Sequence, residues 1–214
     1  MKLRLDWDLG TNSGWGLLGL NLFARLSLDS RFEVSTGNQI TYEHINGIDP
    51  LLLHELFPAI QKSNENLSAF NHLFRNEKQT VIHAVGNSLK KSNDKKVNPI
   101  DLNIARIIFE NTSIHNSKIF QDFDQILTAS TWNRDLLSSI TSKPVKMIHE
   151  GIDETLFSPG NKSGMLPDNR FYIFSGGKIE FRKGQDLVLK VFKRFSEKYD
   201  NAYLVVSWQS LWPQ

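Results

Sequence analysis

The chain contains no cysteine among its 214 residues, which excludes a disulfide framework, a thiolate metal centre and a cysteine nucleophile. A reducing, cytosolic setting accords with that composition. No apolar run approaches the ~18 residues that a membrane-spanning helix needs. The segment from Met1 to Asp8 alternates charged and apolar residues where a signal peptide would be continuously apolar, so it reads as a strand. Neither sign of charge dominates: 25 Lys and Arg stand against 23 Asp and Glu, and a formal net charge of +2 is too small for a dedicated nucleic-acid binder. The histidines His44, His54, His72, His83, His115 and His149 form no i, i+4 pair, so no metal site is recognisable. A Walker phosphate loop and a Gly-x-Ser-x-Gly nucleophile elbow are also missing. Glycosylation-type triplets begin at Asn66, Asn111 and Asn161, but such triplets recur by chance and carry no weight.

What the chain does have is enough apolar matter for a core, 40% of its residues, and a length that suits one α/β domain plus part of another. Apolar or β-branched runs recur at 31–35, 80–85, 105–109, 125–129 and 145–148, with helical-period segments between several of them. That alternation predicts βα units on a Rossmann-like parallel sheet flanked by helices. Residues 15–28, apolar on most sides, predict a buried helix after the first strand, and 50–74 predict helix broken near 62–65. The polar, Lys-rich stretch 87–99 has the composition of a solvated loop.

A Ser, Pro, Gly and Asn-rich stretch at 158–164 marks a domain limit. The expected organisation is a first domain over 1–160, a linker over 161–170 and a second domain over 171–214. The second opens as a βαβ unit, with strands at 171–177 and 202–207 around an amphipathic helix at 185–199. Two strands cannot complete a parallel sheet, whose two faces both need cover, so this domain is expected to be incomplete. Trp208 and Trp212 after the last strand are expected to be exposed, as if partner structure were missing.

Chemistry is best supported by the loop that joins strand 171–177 to its helix. Backbone N–H groups and the positive end of a helix dipole converge there, and Gly177, Lys178, Arg182 and Lys183 surround the point where a phosphate could sit. A solvated basic turn fits the same residues, and physics alone leaves both readings open. In the first domain, the loop after the first strand carries Gly14 and Gly16, which would let a ligand approach the backbone, although the run does not match Gly-x-Gly-x-x-Gly. Ligands of open α/β sheets bind beyond the carboxyl ends of strands, where His83 and Glu110 are expected. For His83 a satisfied core histidine is the preferred reading over catalysis; for Glu110 both remain open. Ser130 is expected to cap the helix bearing Leu136 and Leu137, with Gly151 in a tight turn and Asp153 as a further cap.

The run 171–189, with Gly177 and Lys178 followed by Lys183 and Gly184, resembles the donor-domain opening of retaining GT-B glycosyltransferases of family four. A second block in the right order is similar to the same family: the strand at 126–129, Ser130, Trp132 to Arg134, Pro144 to Ile148, Glu150 to Asp153, and Phe157 to Pro159. The resemblance implies a GT-B first domain on the acceptor side and an incomplete Rossmann-like donor domain. It implies transfer of a sugar from a nucleotide diphosphate sugar to a glycan or lipid-linked acceptor, without metal or other cofactor and without nucleic acid. Lys178 and Lys183 inherit the diphosphate role. Lys178 stands where Arg is commoner, which trades a bidentate contact for a point charge. The loop of Gly14 and Gly16 would border the substrate cleft, and Glu110 occupies a place where members often carry histidine, with a Phe-Glu subset closer. A carboxylate there could steady an oxocarbenium-like sugar or bind acceptor hydroxyls. The location implied is cytoplasmic, with peripheral contact at the inner face of a membrane as the other option. The family's paired-glutamate motif is absent from these residues, so the piece is expected to lack the rest of its donor domain and to be inactive by itself. The rival is a non-catalytic acceptor-binding or degenerate module.

Overall fold

The computed structural model describes residues 1–48, 50–68, 77–87, 89–92, 96–110, 112, 114, 117–152, 158–160, 164 and 166–209. The chain divides into two units, Met1–Gly151 and Ile152–Gln214. The sequence reading sets that limit at 160. The expected cap Asp153 and Trp212 lie outside the described residues, as do His72 and His115.

The first unit is built on six parallel strands, β1 (Lys2–Leu5), β2 (Glu33–Thr36), β3 (Thr80–Val85), β4 (Leu102–Ile107), β5 (Gln125–Thr128) and β6 (Val145–Met147), in the order β2-β1-β3-β4-β5-β6. Helices α1 (Gly14–Ser27), α2 (Pro50–Ser68) and α3 (Thr131–Ser138) flank it, giving an α/β, Rossmann-like architecture. Two apolar clusters hold the layers together. One joins Leu3, Leu5 and Trp7 to Phe23 of α1 and Leu56 and Ile60 of α2, with Ile82 and Ala84 of β3. The other joins Val85 of β3 to Ala105, Ile107, Phe120, Ile126 and Leu137. Because successive strand residues point to opposite faces, Ala84 and Val85 assign these clusters to the two sides of the sheet. Both faces are covered, as a parallel sheet requires.

Four local expectations are corrected. Helix α2 runs through 62–65 without a break. The polar residues that suggest a break are tertiary clamps: the Ser63 hydroxyl accepts from the Thr36 backbone N–H at 3.1 Å, and the Asn64 side chain satisfies both the N–H and the C=O of Ile40 at 3.0 and 2.9 Å. The loop after β3 is also more ordered than its lysines suggest. Leu89 is 1% exposed, and residues around it fold back on β3 through the bonds from Gly86 N–H to Lys90 O and Ser92 N–H to Ala84 O. Leu89 holds φ 50, a left-handed backbone uncommon for a bulky residue and sustained by its burial. Strand β4 begins earlier than its apolar run because Asn103 and Arg106 are buried polar residues inside it. Ser130 caps α3 as expected, accepting from Asn133 N–H at 3.2 Å, whereas Gly151 lies in no turn.

In the second unit β7 (Phe171–Lys178) pairs in parallel with β8 (Ala202–Gln209), joined by α4 (Gln185–Ser196). Phe171 and Phe195 meet with ring centroids 6.2 Å apart, which sets α4 on the Phe171 face of the pair. The other face carries Phe174 and Tyr203, both exposed. Trp208, expected to be exposed, is half-buried and donates from Nε1 to the Ser175 hydroxyl at 3.1 Å.

Candidate functional site

The β7–α4 connection draws Gly177, Lys178, Arg182 and Lys183 into one loop. Gly177, next to last in β7, has φ +125, and no atom lies within 4 Å of where a Cβ would stand, so the backbone there is reserved for glycine and open to solvent. A single 3-10 turn, Phe181–Lys183, follows, closed by the bonds from Lys183 N–H to Glu180 O and Gly184 N–H to Phe181 O. Gly184, at φ +67, is the N-cap of α4 and offers no capping side chain. The first-turn N–H groups of α4 are therefore left for water or an anion. Gln185 fastens the loop base by donating to the Lys178 carbonyl at 2.5 Å.

Two carboxylates temper the positive field of this loop. Arg182 Nε lies 2.9 Å from Glu180 Oε2, so this guanidinium is engaged within the loop itself. Asp186 in the first turn of α4 complements the helix dipole, but Lys190 one turn later draws its carboxylate to 3.3 Å. Glu180 is the residue that sequence reasoning passed over. A Glu two positions before an Arg is the only signal of the pair in the sequence.

In the first unit the strand order reverses direction between β1 and β3, and ligands of open sheets bind beyond the carboxyl ends at such a point. The loop after β1 is largely filled by its own residues: Trp7 is 1% exposed and donates from Nε1 to Trp15 O at 2.9 Å. The two glycines of that loop separate clearly. A Cβ on Gly16 would collide with the Gly10 carbonyl oxygen and lie 2.9 Å from the Gly10 nitrogen, so its smallness serves backbone packing. Around Gly14 nothing lies within 4 Å, and Ser13 beside it caps α1 by accepting from Gly16 N–H at 3.0 Å.

His83 stands inside β3 and not at its end. It is 3% exposed, with Nε2 3.0 Å from Asn103 Oδ1, Nδ1 3.0 Å from Asp6 Oδ2, and its ring tilted against Phe123. The Asn103 amide nitrogen already donates to Asn98 O and Asp101 O, so its oxygen faces His83 and Nε2 is the donor. This is a core histidine that ties β3 to β4 through Nε2 and sets Nδ1 against Asp6 without a hydrogen bond, and its burial removes it from contact with a substrate. Glu110 is exposed, past the end of β4, and is held by Asn87 past the end of β3. The Asn87 side chain accepts from the Glu110 backbone N–H at 2.6 Å and donates to the Glu110 carboxylate at 3.0 Å. Asn87 thus orients the carboxylate across the ends of adjacent strands.

Arg106 is a buried cation inside β4. It donates to Thr128 O at 2.9 Å and Ile148 O at 3.0 Å and reaches Glu150 at 3.4 Å. Burial pushes its pKa down, and the Glu150 carboxylate opposes that. The guanidinium binds the ends of β5 and β6 to β4. Among the described residues no group of three His, Cys, Asp or Glu could hold a metal ion, and no helix is long and apolar enough to cross a membrane. No protein-family model matches the chain, and no curated protein matches it.

Proposed function

We propose that the chain belongs to a glycosyltransferase that moves a sugar from a nucleotide diphosphate sugar to a glycan or lipid-linked acceptor, and that the β7–α4 loop receives the diphosphate. The observation that carries this reading is the combination of a glycine-only backbone at Gly177, a helix N-terminus without a side-chain cap at Gly184, and the basic side chains Lys178 and Lys183 within one loop. As the sugar leaves, negative charge accumulates on the diphosphate. Fixed cations and oriented N–H groups stabilise that charge more than they stabilise the ground state. Arg182 contributes less than its formal charge suggests, because Glu180 engages it. Glu110, oriented by Asn87, is the carboxylate we assign in the first unit to an acceptor hydroxyl or an electron-poor sugar. Gly14, open to its surroundings, supports close approach of a ligand to the backbone; Gly16 does not. The uncovered face of the β7–β8 pair supports further strands and helices as the partner of the second unit.

The binding half of this reading is tested by competition. Nucleoside diphosphates and inorganic pyrophosphate should displace a nucleotide diphosphate sugar, while the nucleoside and the free sugar should not. Displacement by nucleoside alone would contradict a diphosphate-directed site. The reaction is tested by following nucleoside diphosphate release, with and without a glycan acceptor, in a protein whose donor domain is complete, since these residues by themselves are expected to be inactive. Release that depends on acceptor supports transfer, and binding without any release favours a non-catalytic module.

A further inference from the structure

We propose that the first turn of α3 is a sugar site, where a neutral pyranose docks through a hydroxyl group and lays one face against Trp132. The observation that carries it is Asn133, which is 5% exposed and has a buried side-chain oxygen with no hydrogen-bond partner. A buried acceptor left unpaired costs free energy, so such a group in a folded protein points to something it binds. Asn133 is the third residue of α3, and helical side chains lean toward the N-terminus. Its amide is therefore directed at the open end of the first turn.

That turn also holds donors to spare. The Asn133 N–H goes to the Ser130 hydroxyl at 3.2 Å and the Arg134 N–H to the Ser130 carbonyl at 3.0 Å, while the N–H groups of Thr131 and Trp132 meet no acceptor among the described residues. Thr131 and Trp132 are both exposed, Trp132 at 47%. One turn thus presents an acceptor that needs a donor and donors that need an acceptor. An anion would answer the N–H groups but face the Asn133 oxygen, and an ammonium would do the reverse. A hydroxyl both donates and accepts, and the indole of Trp132 offers an apolar face to the ring that bears it. The turn follows β5 at the carboxyl edge of the sheet, and Glu110 stands past the end of β4, the strand paired with β5. The role of this sugar as acceptor rests on the transfer reading, but its binding does not, since no donor takes part in it.

The probes are the methyl β-glycosides of glucose, galactose and N-acetylglucosamine, with inorganic phosphate and methylammonium as the charged comparisons. Each is titrated into the whole chain with amide chemical shifts as the readout, so a failure here is separate from a failure of diphosphate binding at the β7–α4 loop. At least one glycoside should bind saturably and shift the amides of residues 131–133, and both ions should bind at least about tenfold more weakly. Asn133→Leu should weaken that glycoside at least about tenfold while leaving the urea midpoint unchanged or higher, because it replaces an unpaired buried amide with an apolar group of similar size. Trp132→Ala, at an exposed position, should weaken it about fivefold. Absence of saturable glycoside binding, phosphate or methylammonium binding as tightly, undiminished binding by either variant, or a lowered midpoint in Asn133→Leu overturns the proposal.

Discussion

The two units use the same βα grammar and reach different ends. In the first, six strands with helices on both faces bury Phe23, Leu5, Ile126 and Leu137 completely. In the second, two strands and one helix leave Phe174 69% exposed and Val191 67% exposed, and α4 buries none of its residues. Helix α4 is clearly amphipathic, with Val188, Phe192 and Phe195 turned inward, so pattern is not what it lacks. Among the described residues it lacks layers to press against. An amphipathic pattern specifies which face turns inward, while the energy of burial depends on how many elements supply the interior.

The sharpest way to break that comparison is to truncate matching aromatics. Phe23→Ala, in the core of the first unit, should cost about 3–5 kcal/mol in urea unfolding, and Phe174→Ala in the second about 0.5 kcal/mol or less. Similar losses would mean that the second unit buries Phe174 against something. A smaller effect separates the two glycines of the first unit. Gly16→Ala should cost about 1–3 kcal/mol because its Cβ meets the Gly10 backbone, whereas Gly14→Ala should be close to neutral. Thermal denaturation of the two variants checks this, and a neutral Gly16→Ala would show that the loop can yield.

Asn64→Ala should cost about 1–2 kcal/mol, since it strips both partners from Ile40. A change within error would mean that water replaces them. The smallest effect is at Asp29, whose carboxyl is lowered to about 2 by hydrogen bonds from Arg31, first its side chain and then its backbone. A folded-state pKa below the ordinary value stabilises above the ordinary range and is lost as pH falls through the folded value. The contribution should therefore fade between about 3.8 and about 2, and Asp29→Asn should flatten the acid limb of the unfolding curve in that window. A curve unchanged by the substitution would contradict it.

Most of the first unit is legible in the sequence because its strands are short apolar runs separated by helical periods. The errors fall where polar residues serve tertiary contacts. Ser63 and Asn64 look like a helix break and act as clamps on Thr36 and Ile40, and Asn103 and Arg106 interrupt an apolar pattern while buried in β4. Such contacts join residues far apart in the chain, and local pattern holds no trace of them. The candidate sites divide in the same way. The basic β7–α4 loop is visible because strand, glycine, cations and helix are contiguous. The clamp of Asn87 on Glu110 spans two loops and appears only when β3 and β4 pair. Likewise, Gly14 and Gly16 look alike in sequence, and only the position of Gly10 tells them apart.

The account turns on the loop between β7 and α4. Calorimetric titration of a nucleoside diphosphate into the chain and into the K178A/K183A double variant, with Lys193→Ala as a control for charge removed elsewhere on α4, tests it most directly. The predicted result is saturable binding that weakens at least about tenfold in the double variant and stays unchanged in the control. Equal affinity in all three proteins would contradict it and reduce the loop to a solvated basic turn.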